Sequence, residues 1–508
     1  MVSAQPGVHW EPHWEPSEHG MCNPCSVISV AEAISRLDDV AQRPVVALLA
    51  ETFAAAGFEL ALVGGPVRDA FLGRTVDDLD FTTNARPAQI LALVAPLAST
   101  TWDVGRDFGT IAAQVRGERV EITTYRADAY DGETRKPIVA FGDSLDDDLH
   151  RRDFTVNAMA LRLPQRQLVD PYGGIEQLLS QTLDTPGAPA VSFGDDPLRM
   201  LRGARFTSQL GFVVSDRVRE AMTEMADSIE IVSIERVADE LVKLLRTDNP
   251  VPGIRVLVET GLADRVLPEV PALRLEVDEH AHHKDVYEHS LTVLTQAIDL
   301  ERSRSLPGAP DVVLRFAALL HDIGKPATRR IEGGGAVTFH HHDVVGAKLA
   351  TKRLRALRLD NDTIKSVARL IELHLRFFGY SDQAWTDAAV RRYVRDAGDE
   401  LERLHILTRA DVTTRNRRKA DRLDFAYDDL ESRIAQIQEA EGIAAVRPDL
   451  DGADIMRLLG IAPGPVVGEA YRFMLELRLD EGPLEPAEAE ARLRQWWQER
   501  PTPENDPA

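Results

Sequence analysis

The stretch LALVGGPVRDAFLGRTVDDLDFTT, residues 60–83, decides the fold of the first part of this chain. Its apolar start, residues 60–63, predicts a buried strand. Gly64 and Gly65 follow, and they allow a sharp turn that leaves room for a phosphate beside the backbone amides. Pro66 then predicts the start of a helix, because its φ is fixed and it has no amide to satisfy. The stretch therefore predicts a strand, a glycine turn and a helix that together can hold a phosphate.

Charged side chains follow this turn at positions that suit nucleotide chemistry. Arg68 lies in the first turn of the predicted helix, beside the positive end of the helix dipole. Asp78 and Asp80 alternate with apolar residues in the next predicted strand, so both carboxylates face the same side. Mg²⁺ prefers one or two carboxylates together with phosphate oxygens and water. This combination indicates phosphoryl or nucleotidyl transfer, and the alternative is an ordinary strand–turn–helix with surface aspartates.

Length, charge and cysteine content limit the number of domains and the classes of protein that the chain can belong to. At 508 residues the chain is too long for one core, and we expect about three to four domains. The net charge is −23, from 59 basic and 82 acidic residues, so any nucleic-acid partner must be held by local basic clusters. Two cysteines exclude a disulfide framework and are typical of the reducing cytoplasm. No apolar run of about 18 residues occurs, so no membrane span is predicted.

The first 43 residues predict a disordered leader. They contain the proline-rich sequence HWEPHWEP and show no helical or strand period. No basic residue precedes Arg36 and no apolar segment is present, so the leader does not resemble a secretory signal. Cys22 and Cys25 form a lone CxxC, for which a zinc site with nearby histidines is an alternative to a disordered extension.

A third acidic residue follows on a later strand. Residues 110–115 and 119–125 are both predicted as strands, and a tight turn joins them. Glu121 lies on the second of these strands, and a two-metal site requires such an additional carboxylate. The alternative is a glutamate that faces solvent, because its distance from Asp78 and Asp80 cannot be read from the sequence.

Residues 127–149 are polar and mixed in charge, and they predict a mobile loop. The loop leads into RRDFTVNAMAL, where Asp148 is predicted to cap a helix that carries Arg151 and Arg152. Two consecutive arginines are usually solvated, but beside a triphosphate they become candidates for phosphate or ribose contacts.

Five motifs now occur in an order that identifies a family. GGPVRD, DLD, RRDFTVNAMA, DPYGG and DDPLRMLRGARF resemble class II tRNA nucleotidyltransferases, the polymerase-β-like CCA-adding enzymes and their bacterial poly(A) polymerase relatives. The resemblance covers nearly the whole chain. It implies an α+β fold, with a polymerase-β-like nucleotidyltransferase head (a small mixed sheet with helices) followed by an all-α neck, HD body and tail. The expected segments are a disordered leader, the head, the neck, the HD body and a tRNA-binding tail at residues 1–43, 44–190, 191–270, 271–430 and 431–508.

The last motif predicts a helix with an unusual charge pattern. Arg199, Arg202 and Arg205 recur every three residues along one side, with Asp196 just before them. Such a row of like charges needs an anion or acceptor, and a basic helix face balanced by surface carboxylates is the alternative. The resemblance implies that Asp196 and Arg199 pair with the base edge of the incoming nucleotide, with Arg202 and Arg205 nearby. Asp195 stands where the family often has glutamate.

A second set of potential metal ligands lies further along the chain. His321 and Asp322 are adjacent at the end of an apolar helix, which is typical of HD-type metal sites. Imidazole and carboxylate ligands suit Mn, Fe, Ni, Co or Zn better than Mg alone. The resemblance implies four ligands of a divalent transition metal and two candidate ligands of a second metal: His289, His321, Asp322 and Asp411, and then His342 and His374. The alternative is a degenerate HD fold that keeps only the helices, and phosphate-ester hydrolysis is a hypothesis.

The interpretation of the whole chain is a template-independent enzyme that adds CCA to tRNA 3′ ends from CTP and ATP. Asp78 and Asp80 would hold two Mg²⁺ ions, and Gly64, Gly65 and Arg68 would hold the triphosphate. The basic cluster at residues 414–419 would grip tRNA phosphates, unless it is a solvated helix end.

Three alternatives to this interpretation stay open. A poly(A) polymerase or a CC-adding enzyme would use the same scaffold, although the intact loop at residues 130–137 favours full CCA addition, because the family's CC-only members lack a working version of it. An HD phosphohydrolase with an RNA-binding head is a second alternative, and a non-catalytic RNA-binding scaffold is a third. The sequence does not set the oligomeric state.

Overall fold

Residues 28–500, apart from short stretches, are described by a computed structural model. The stretches outside the description are 104–108, 130–137, 143, 275–284, 334–336, 378, 381–384, 413–416 and 442–446. The CxxC, the 130–137 loop and residues 414–416 of the basic cluster therefore lie outside the described residues. The chain divides into a head unit, Met1–Asp195 with Leu210–Val218, and a helical unit, Asp196–Gln209 with Arg219–Ala508. Within the described ranges, no helix has the length and apolar character needed to cross a membrane.

The head unit is built on a mixed sheet, which confirms the predicted α+β class. Its strands are β1 (Leu60–Val63), β2 (Leu79–Thr83), β3 (Ala98–Trp102), β4 (Thr110–Val115), β5 (Glu118–Thr124), the separate hairpin β6 (Arg126–Ala129) and β7 (Ile138–Phe141), β8 (Ala160–Leu163) and β9 (Gln167–Val169). The seven-stranded sheet has the order β3-β4-β5-β2-β1-β8-β9. β2 and β5 pair in parallel, whereas the other neighbouring strands are antiparallel. All four residues of β1 are buried, as the apolar run predicts.

Short helices cover this sheet. They are α1 (Val30–Ala41), α2 (Pro44–Ala55), α3 (Gly65–Phe71), α4 (Pro87–Val94), α5 (Leu145–His150), α6 (Gly174–Leu179) and α7 (Pro189–Asp195), with a 3₁₀ turn at Thr155–Asn157 and a parallel pair β10 (Thr182–Leu183) and β11 (Val213–Val214). The predicted DPYGG turn is confirmed, because the Asp170 carboxylate accepts the backbone N–H groups of Gly174 and Ile175 at 2.7 and 2.9 Å and so begins α6.

The predicted leader is too long. Residues 30–41 form α1, so the expectation of disorder up to residue 43 is wrong there. The Ser29 hydroxyl accepts the backbone N–H of Glu32 at 3.2 Å and caps the helix. Leu37 is 1% exposed, and α1 packs against α3. The prolines at the start of the chain end before this segment, and the prediction extended their character too far.

Two further predictions in the head are wrong. Residues 126–129 and 138–141 are not loop but pair as the β6–β7 hairpin, with Arg126 opposite Phe141. The predicted helix that carries Arg151 and Arg152 does not form, because α5 ends at His150 and both arginines follow it. The Asp153 carboxylate accepts the N–H of Phe154 at 2.8 Å, and this local bond favours a turn over a continuing helix.

Helices occupy the stretches predicted as neck, body and tail, although Leu210–Val218 of the neck stretch clusters with the head unit. The neck helices are α8 (Leu198–Leu210), α9 (Asp216–Glu224), α10 (Ile234–Leu245), α11 (Val251–Glu259) and α12 (Leu262–Val266). The body helices are α13 (Val286–Ser303), α14 (Val312–Leu320), α15 (Lys325–Thr328), α16 (His342–Ala356), α17 (Asn361–Leu373), α18 (Asp387–Ala397), α19 (Leu401–Ala410) and α20 (Arg417–Glu441), with a hairpin β12 (Arg330–Ile331) and β13 (Val337–Thr338). The tail helices are α21 (Gly452–Leu459), α22 (Pro465–Glu481) and α23 (Pro486–Glu499).

A buried ion pair joins the neck to the body within this unit. Arg315, on α14, is 2% exposed and donates to Glu301 Oε2 on α13 at 2.9 and 2.7 Å. Its Nη1 donates to the carbonyls of Leu245 and Thr247 at 2.6 and 2.7 Å. The other oxygen of Glu301 accepts the N–H of Asp311. Both charges are therefore fully hydrogen-bonded in a site closed to solvent.

We expect Arg315→Leu to destabilise the helical unit by about 3–5 kcal/mol, because it leaves the Glu301 carboxylate buried without its partner. Urea unfolding followed by tryptophan fluorescence measures this as a lower midpoint. Arg302→Leu is the matched control. Arg302 follows Glu301 on α13 but forms its ion pair with Asp248 in solvent, and exposed pairs contribute about 1 kcal/mol or less. Equal midpoints for the two variants would contradict the assignment.

Candidate active site and candidate metal centre

The glycine turn after β1 is closely covered by an arginine. Gly64 has φ +76°, a conformation that favours glycine, and a Cβ placed there would lie 3.1 Å from Nη1 of Arg152. The Gly64 N–H donates to the carbonyl of Met159 at 3.2 Å, which joins the turn to the start of β8. The turn therefore brings backbone and a guanidinium together where the sequence predicts a phosphate.

The carboxylates meet across the parallel pair β2–β5. Asp80 is paired directly with Glu121, so both side chains lie on the same face of the sheet. Burial and Glu121 raise the pKa of the Asp80 carboxyl, and although Arg152 opposes them, Asp78 adds to the effect, so that the pKa lies at about 6. Three carboxylates that repel one another in this way fit a divalent cation, which would relieve the repulsion. The structure thus places Glu121 opposite Asp80, whereas Asp78 precedes β2, which begins at Leu79, and does not share the strand face that the sequence predicts; it is still near enough to raise the pKa of Asp80.

A buried aspartate orients the two predicted arginines. Asp148 is 0% exposed, and its Oδ1 accepts from Nε and Nη2 of Arg151 at 3.3 and 3.0 Å. Its Oδ2 accepts from Nη2 of Arg152 at 3.2 Å and from the hydroxyl of Thr82 at 3.2 Å. The Nε of Arg152 is buried and has no hydrogen-bond partner among the described residues. An arginine held in place with an unused donor beside the glycine turn fits a phosphate ligand.

Asp148 is the site residue that the sequence reasoning missed. The prediction gave it only a helix-capping role, whereas it lies inside α5 and fixes Arg151 and Arg152. The spacing in the sequence already indicated this role, because Arg151 and Arg152 follow Asp148 by three and four residues and such residues lie on one side of a helical turn. Its burial was not readable, since Thr82 comes from a strand 66 positions earlier.

We expect Asp148→Asn to lower kcat/KM for the nucleotide by about tenfold to a hundredfold, because charge-assisted hydrogen bonds contribute about 1.5–3 kcal/mol. Steady-state kinetics with varied nucleotide measures the change, which falls mainly on KM. Asp146→Asn, on the same short helix α5, is the control and leaves KM unchanged. A normal nucleotide KM in Asp148→Asn would contradict the orienting role.

Arg68, the predicted triphosphate ligand, lies beside the second glycine of the turn, because a Cβ placed at Gly65 would lie 3.7 Å from its Nη2. It is 7% exposed, and Nη1 donates to Oδ1 of Asn157 at 2.6 Å while Nε and Nη2 donate to Asp69 at 2.9 and 3.0 Å. Asn157 in turn donates to Asp153 at 3.0 Å. Arg68 therefore joins α3 to the turn that precedes β8, and Arg152 is the guanidinium that lies against Gly64.

The arginines of α8 meet a carboxylate of their own unit. Glu240, 3% exposed on α10, accepts from Nε of Arg205 at 2.6 Å and lies 3.8 Å from Arg202. The resemblance puts Arg205 near the nucleotide, whereas the structure buries its guanidinium against Glu240. Asp196 accepts from Arg236 at 2.8 Å. The acceptor that the row of like charges requires is thus supplied, for Arg205, by the protein itself.

A second centre lies in the helical unit, where three histidines each use Nδ1 to contact a backbone carbonyl and keep Nε2 for the centre. The Nδ1 atoms of His321, His342 and His374 lie 2.9, 2.8 and 2.6 Å from the carbonyls of Ala318, Phe339 and Ile371. A carbonyl accepts only from a protonated nitrogen, so each Nδ1 donates, and Nε2 is the nitrogen that offers a lone pair when the ring is neutral. The Nε2 atoms of His342 and His374 are buried without a hydrogen-bond partner in the described part of the chain. Such unpartnered acceptors fit metal ligation.

The six predicted HD ligands converge at this centre. His289 Nε2 lies 2.9 Å from Asp411 Oδ1 and 3.3 Å from His321 Nε2. Asp322 reaches both halves, because Oδ2 lies 3.3 Å from His321 and Oδ1 lies 3.3 Å from His342. Two groups of three can each hold an ion: His289, His321 and Asp411, and Asp322, His342 and His374. The geometry thus offers two adjacent metal positions that share one aspartate between them.

The ionisation states of the side chains at this centre favour a bound cation. Burial lowers the pKa of His321, but the carboxylates of Asp322 and Asp411 overcome it and raise the pKa to about 10. Burial would raise the pKa of Asp411, but hydrogen bonds from His289 and His321 hold it well below the ordinary value. Burial lowers the pKa of His374 to about 4. The carboxylates are therefore ionised, and a divalent ion can replace the proton on His321.

Comparison with known proteins defines the class first. Three family models match the chain: the poly(A) polymerase head domain at residues 60–184, the probable RNA- and SrmB-binding site of polymerase A at residues 211–273, and the HD domain at residues 286–416. The chain therefore combines a nucleotidyltransferase head with an appended HD domain.

Named relatives then identify the family. The chain is 35% identical over 450 residues to an A-adding tRNA nucleotidyltransferase of Deinococcus radiodurans, covering 87% of this chain and 96% of the relative. It is 31% identical over 440 residues to a CCA-adding enzyme of Streptococcus suis, covering 86% and 92%. The crystal structure of the Bacillus stearothermophilus CCA-adding enzyme in complex with CTP has a TM-score of 0.62 and 25% identity, covering 90% and 98%. The chain belongs to the class II tRNA nucleotidyltransferase and poly(A) polymerase family.

Proposed function

We propose that this enzyme adds CCA to the 3′ ends of tRNA from CTP and ATP without a nucleic-acid template. The observation that carries the proposal is the direct pairing of Asp80 with Glu121 across β2 and β5, where β2 is the neighbour of the strand that leads into the glycine turn. The relatives support the substrates, because the named CCA-adding enzymes include one in complex with CTP and one, from Thermotoga maritima, complexed with tRNA. The two cysteines are consistent with a reaction in the cytoplasm.

The residues divide the work of nucleotidyl transfer between them. Asp78, Asp80 and Glu121 would hold Mg²⁺, which when bound lowers the pKa of the tRNA 3′-hydroxyl and neutralises charge on the leaving pyrophosphate. The hydroxyl oxygen loses its proton to solvent and bonds to the α-phosphorus, while the bond from that phosphorus to the bridging oxygen breaks and pyrophosphate leaves. Arg152 is positioned against Gly64 to bind the triphosphate through its unused Nε–H.

Base selection is proposed for the helical unit. By the resemblance, Asp196 and Arg199 pair with the edge of cytosine or adenine, and Arg202 assists. The orientation of the Asp196 carboxylate is fixed, because Oδ2 accepts from Arg236 at 2.8 Å and Oδ1 accepts the N–H of Leu198 at 3.2 Å. A carboxylate and a guanidinium together offer the acceptors and donors that both bases present.

Truncated tRNAs test the proposal directly. Purified protein is incubated with tRNA that lacks CCA, that ends in C, or that ends in CC, with CTP or ATP supplied in turn. Extension of the first two by CTP and of the third by ATP is the expected result. Failure to extend any of the three with either nucleotide would remove the proposed activity.

A second candidate, addition of A alone, is favoured by one specific observation. The Deinococcus radiodurans relative, matched over 87% of this chain, is named as A-adding. In the same assay, an A-adding enzyme extends only the tRNA that ends in CC. A poly(A) polymerase is separated by its product, because it continues past one AMP, and a CC-adding enzyme stops without using ATP.

The HD centre supports a second activity in the same chain. We infer that it binds divalent transition metals and hydrolyses phosphate esters, with a 2′,3′-cyclic phosphate as the candidate substrate. The unpartnered Nε2 atoms of His342 and His374 support metal binding, since an unused buried acceptor is otherwise costly. Metal-loaded protein that cleaves neither a phosphomonoester nor a cyclic phosphate would exclude this activity.

A further inference from the structure

A tryptophan lies in one row with the carboxylates across the head sheet. The strand register pairs Asp80 with Glu121, Glu121 with Ala112, and Ala112 with Trp102. Residues paired directly across neighbouring strands point to the same face. Trp102 therefore stands on the carboxylate face, on the edge strand β3. Strands lie about 4.8 Å apart, so the three steps from Asp80 to Trp102 span about 14 Å.

An arginine links this tryptophan to the carboxylates. The guanidinium carbon of Arg119 lies 6.0 Å from the centroid of the Trp102 ring, within the range of a cation–π contact. Nη2 of Arg119 also donates to Oε1 of Glu121 at 2.7 Å. Arg119 is near enough to lower the pKa of Asp80. Trp102 is 42% exposed, so its ring is open to solvent beside a positive charge that is anchored at the carboxylate row.

We propose that Trp102 and Arg119 form a stacking platform for an unpaired base of the tRNA 3′ end. The base is one that lies behind the nucleotide carrying the attacking hydroxyl. This inference rests on the proposed function, because it assigns a position to the RNA in the same site. Single-stranded RNA is bound by stacking its bases on aromatic side chains, and Arg119 adds a positive charge toward the RNA backbone.

The chemistry of stacking suits this position better than hydrogen-bond recognition. Every base has a flat face, so a ring accepts any of them, whereas polar contacts to base edges select one. An enzyme that extends many tRNAs needs to hold their varied unpaired ends without selecting among them. Trp102 offers a large ring, and the neighbouring row member Ala112 is too small to cover it.

Kinetics with the full chain provide the first test. We expect Trp102→Ala to raise KM for tRNA about tenfold, with KM for CTP and ATP and kcat little changed. Trp102→Phe keeps an aromatic face and restores most of the affinity. Leu179→Ala is the matched control, because it removes another exposed apolar side chain of the head, on α6 instead of the sheet. A rise in nucleotide KM instead of tRNA KM would assign the ring to the nucleotide and overturn the proposal.

Fluorescence provides a second readout that needs no catalysis. 2-Aminopurine replaces the unpaired nucleotide that precedes the CC end of a tRNA, and stacking on an aromatic ring quenches its emission. Quenching on binding is expected for the wild type and for Trp102→Phe, but not for Trp102→Ala. Equal quenching in the wild type and Trp102→Ala overturns the platform. Loss of nucleotide addition in the wild-type assay would instead reject the proposed function, and the quenching would still decide the binding of the base.

Discussion

Asp80→Asn abolishes the addition of both CMP and AMP, with an expected fall in kcat of about three orders of magnitude or more. The side chain keeps its size but loses the negative charge that a divalent cation needs beside Glu121. Asp78→Ala is expected to have the same effect. Single-nucleotide extension of truncated tRNA by CTP and by ATP measures both losses.

The control for this prediction lies one residue before Asp78. Asp77 is exposed and accepts from the hydroxyl of Thr75 at 3.3 Å, whereas Asp78 is near enough to Asp80 to raise its pKa, so Asp77→Asn removes a neighbouring charge of the same kind. We expect it to retain activity. Hydrolysis at the HD centre should survive Asp80→Asn and Asp78→Ala, because its ligands lie in the other unit. Equal loss of transfer and hydrolysis would argue against two separate sites.

The second large effect concerns the HD centre. We expect Asp322→Asn and His342→Gln to weaken transition-metal binding by at least about a hundredfold, because even residues behind the ligands change affinity by about 10–100-fold. The loss of affinity should be larger for Asp322→Asn than for His342→Gln, because one oxygen of Asp322 lies against His321 and the other against His342. Calorimetric titration with Mn²⁺ or Ni²⁺ measures the affinities, and any phosphohydrolase activity falls with them.

Three consecutive histidines supply the matched control for that experiment. His342 is 8% exposed with Nε2 turned inward, whereas His340 is exposed to solvent. His340→Gln should therefore bind metal as the wild type does. Similar losses in His340→Gln and His342→Gln would show that the ions bind on the surface of the histidine run. Nucleotide addition should be retained in both variants.

Local features of the fold were predictable because neighbouring residues decide them. The strand at residues 60–63 and the strand at residues 110–115 have the bounds that their apolar patterns predict. The predicted apolar helix before His321 is also present, as α14. Residues 30–41 were missed because the prolines before them dominated the interpretation, although Leu37 and Val40 already had helical spacing.

Long-range contacts were not predictable from the same patterns. The pairing of Asp80 with Glu121 depends on the register of two strands separated by a helix and two other strands. The burial of Arg205 depends on Glu240, which is 35 positions away and on another helix. The sequence identified the HD ligands through the family resemblance, but only the fold determines that Asp322 serves both groups of ligands. Register and burial arise from packing of distant segments, which a local pattern does not encode.

The distance between Asp80 and Glu121 is set by the parallel pairing of β2 and β5 and does not depend on the length of the chain that connects them. Residues added at the exposed turn around Gly117, before β5, would lengthen the connection while the ladder still held Glu121 opposite Asp80. One residue inserted inside β5, between Val120 and Glu121, would instead rotate every later side chain to the opposite surface. This head can therefore evolve or be engineered by insertion in its turns, but a single insertion within that strand would remove Glu121 from its place beside Asp80.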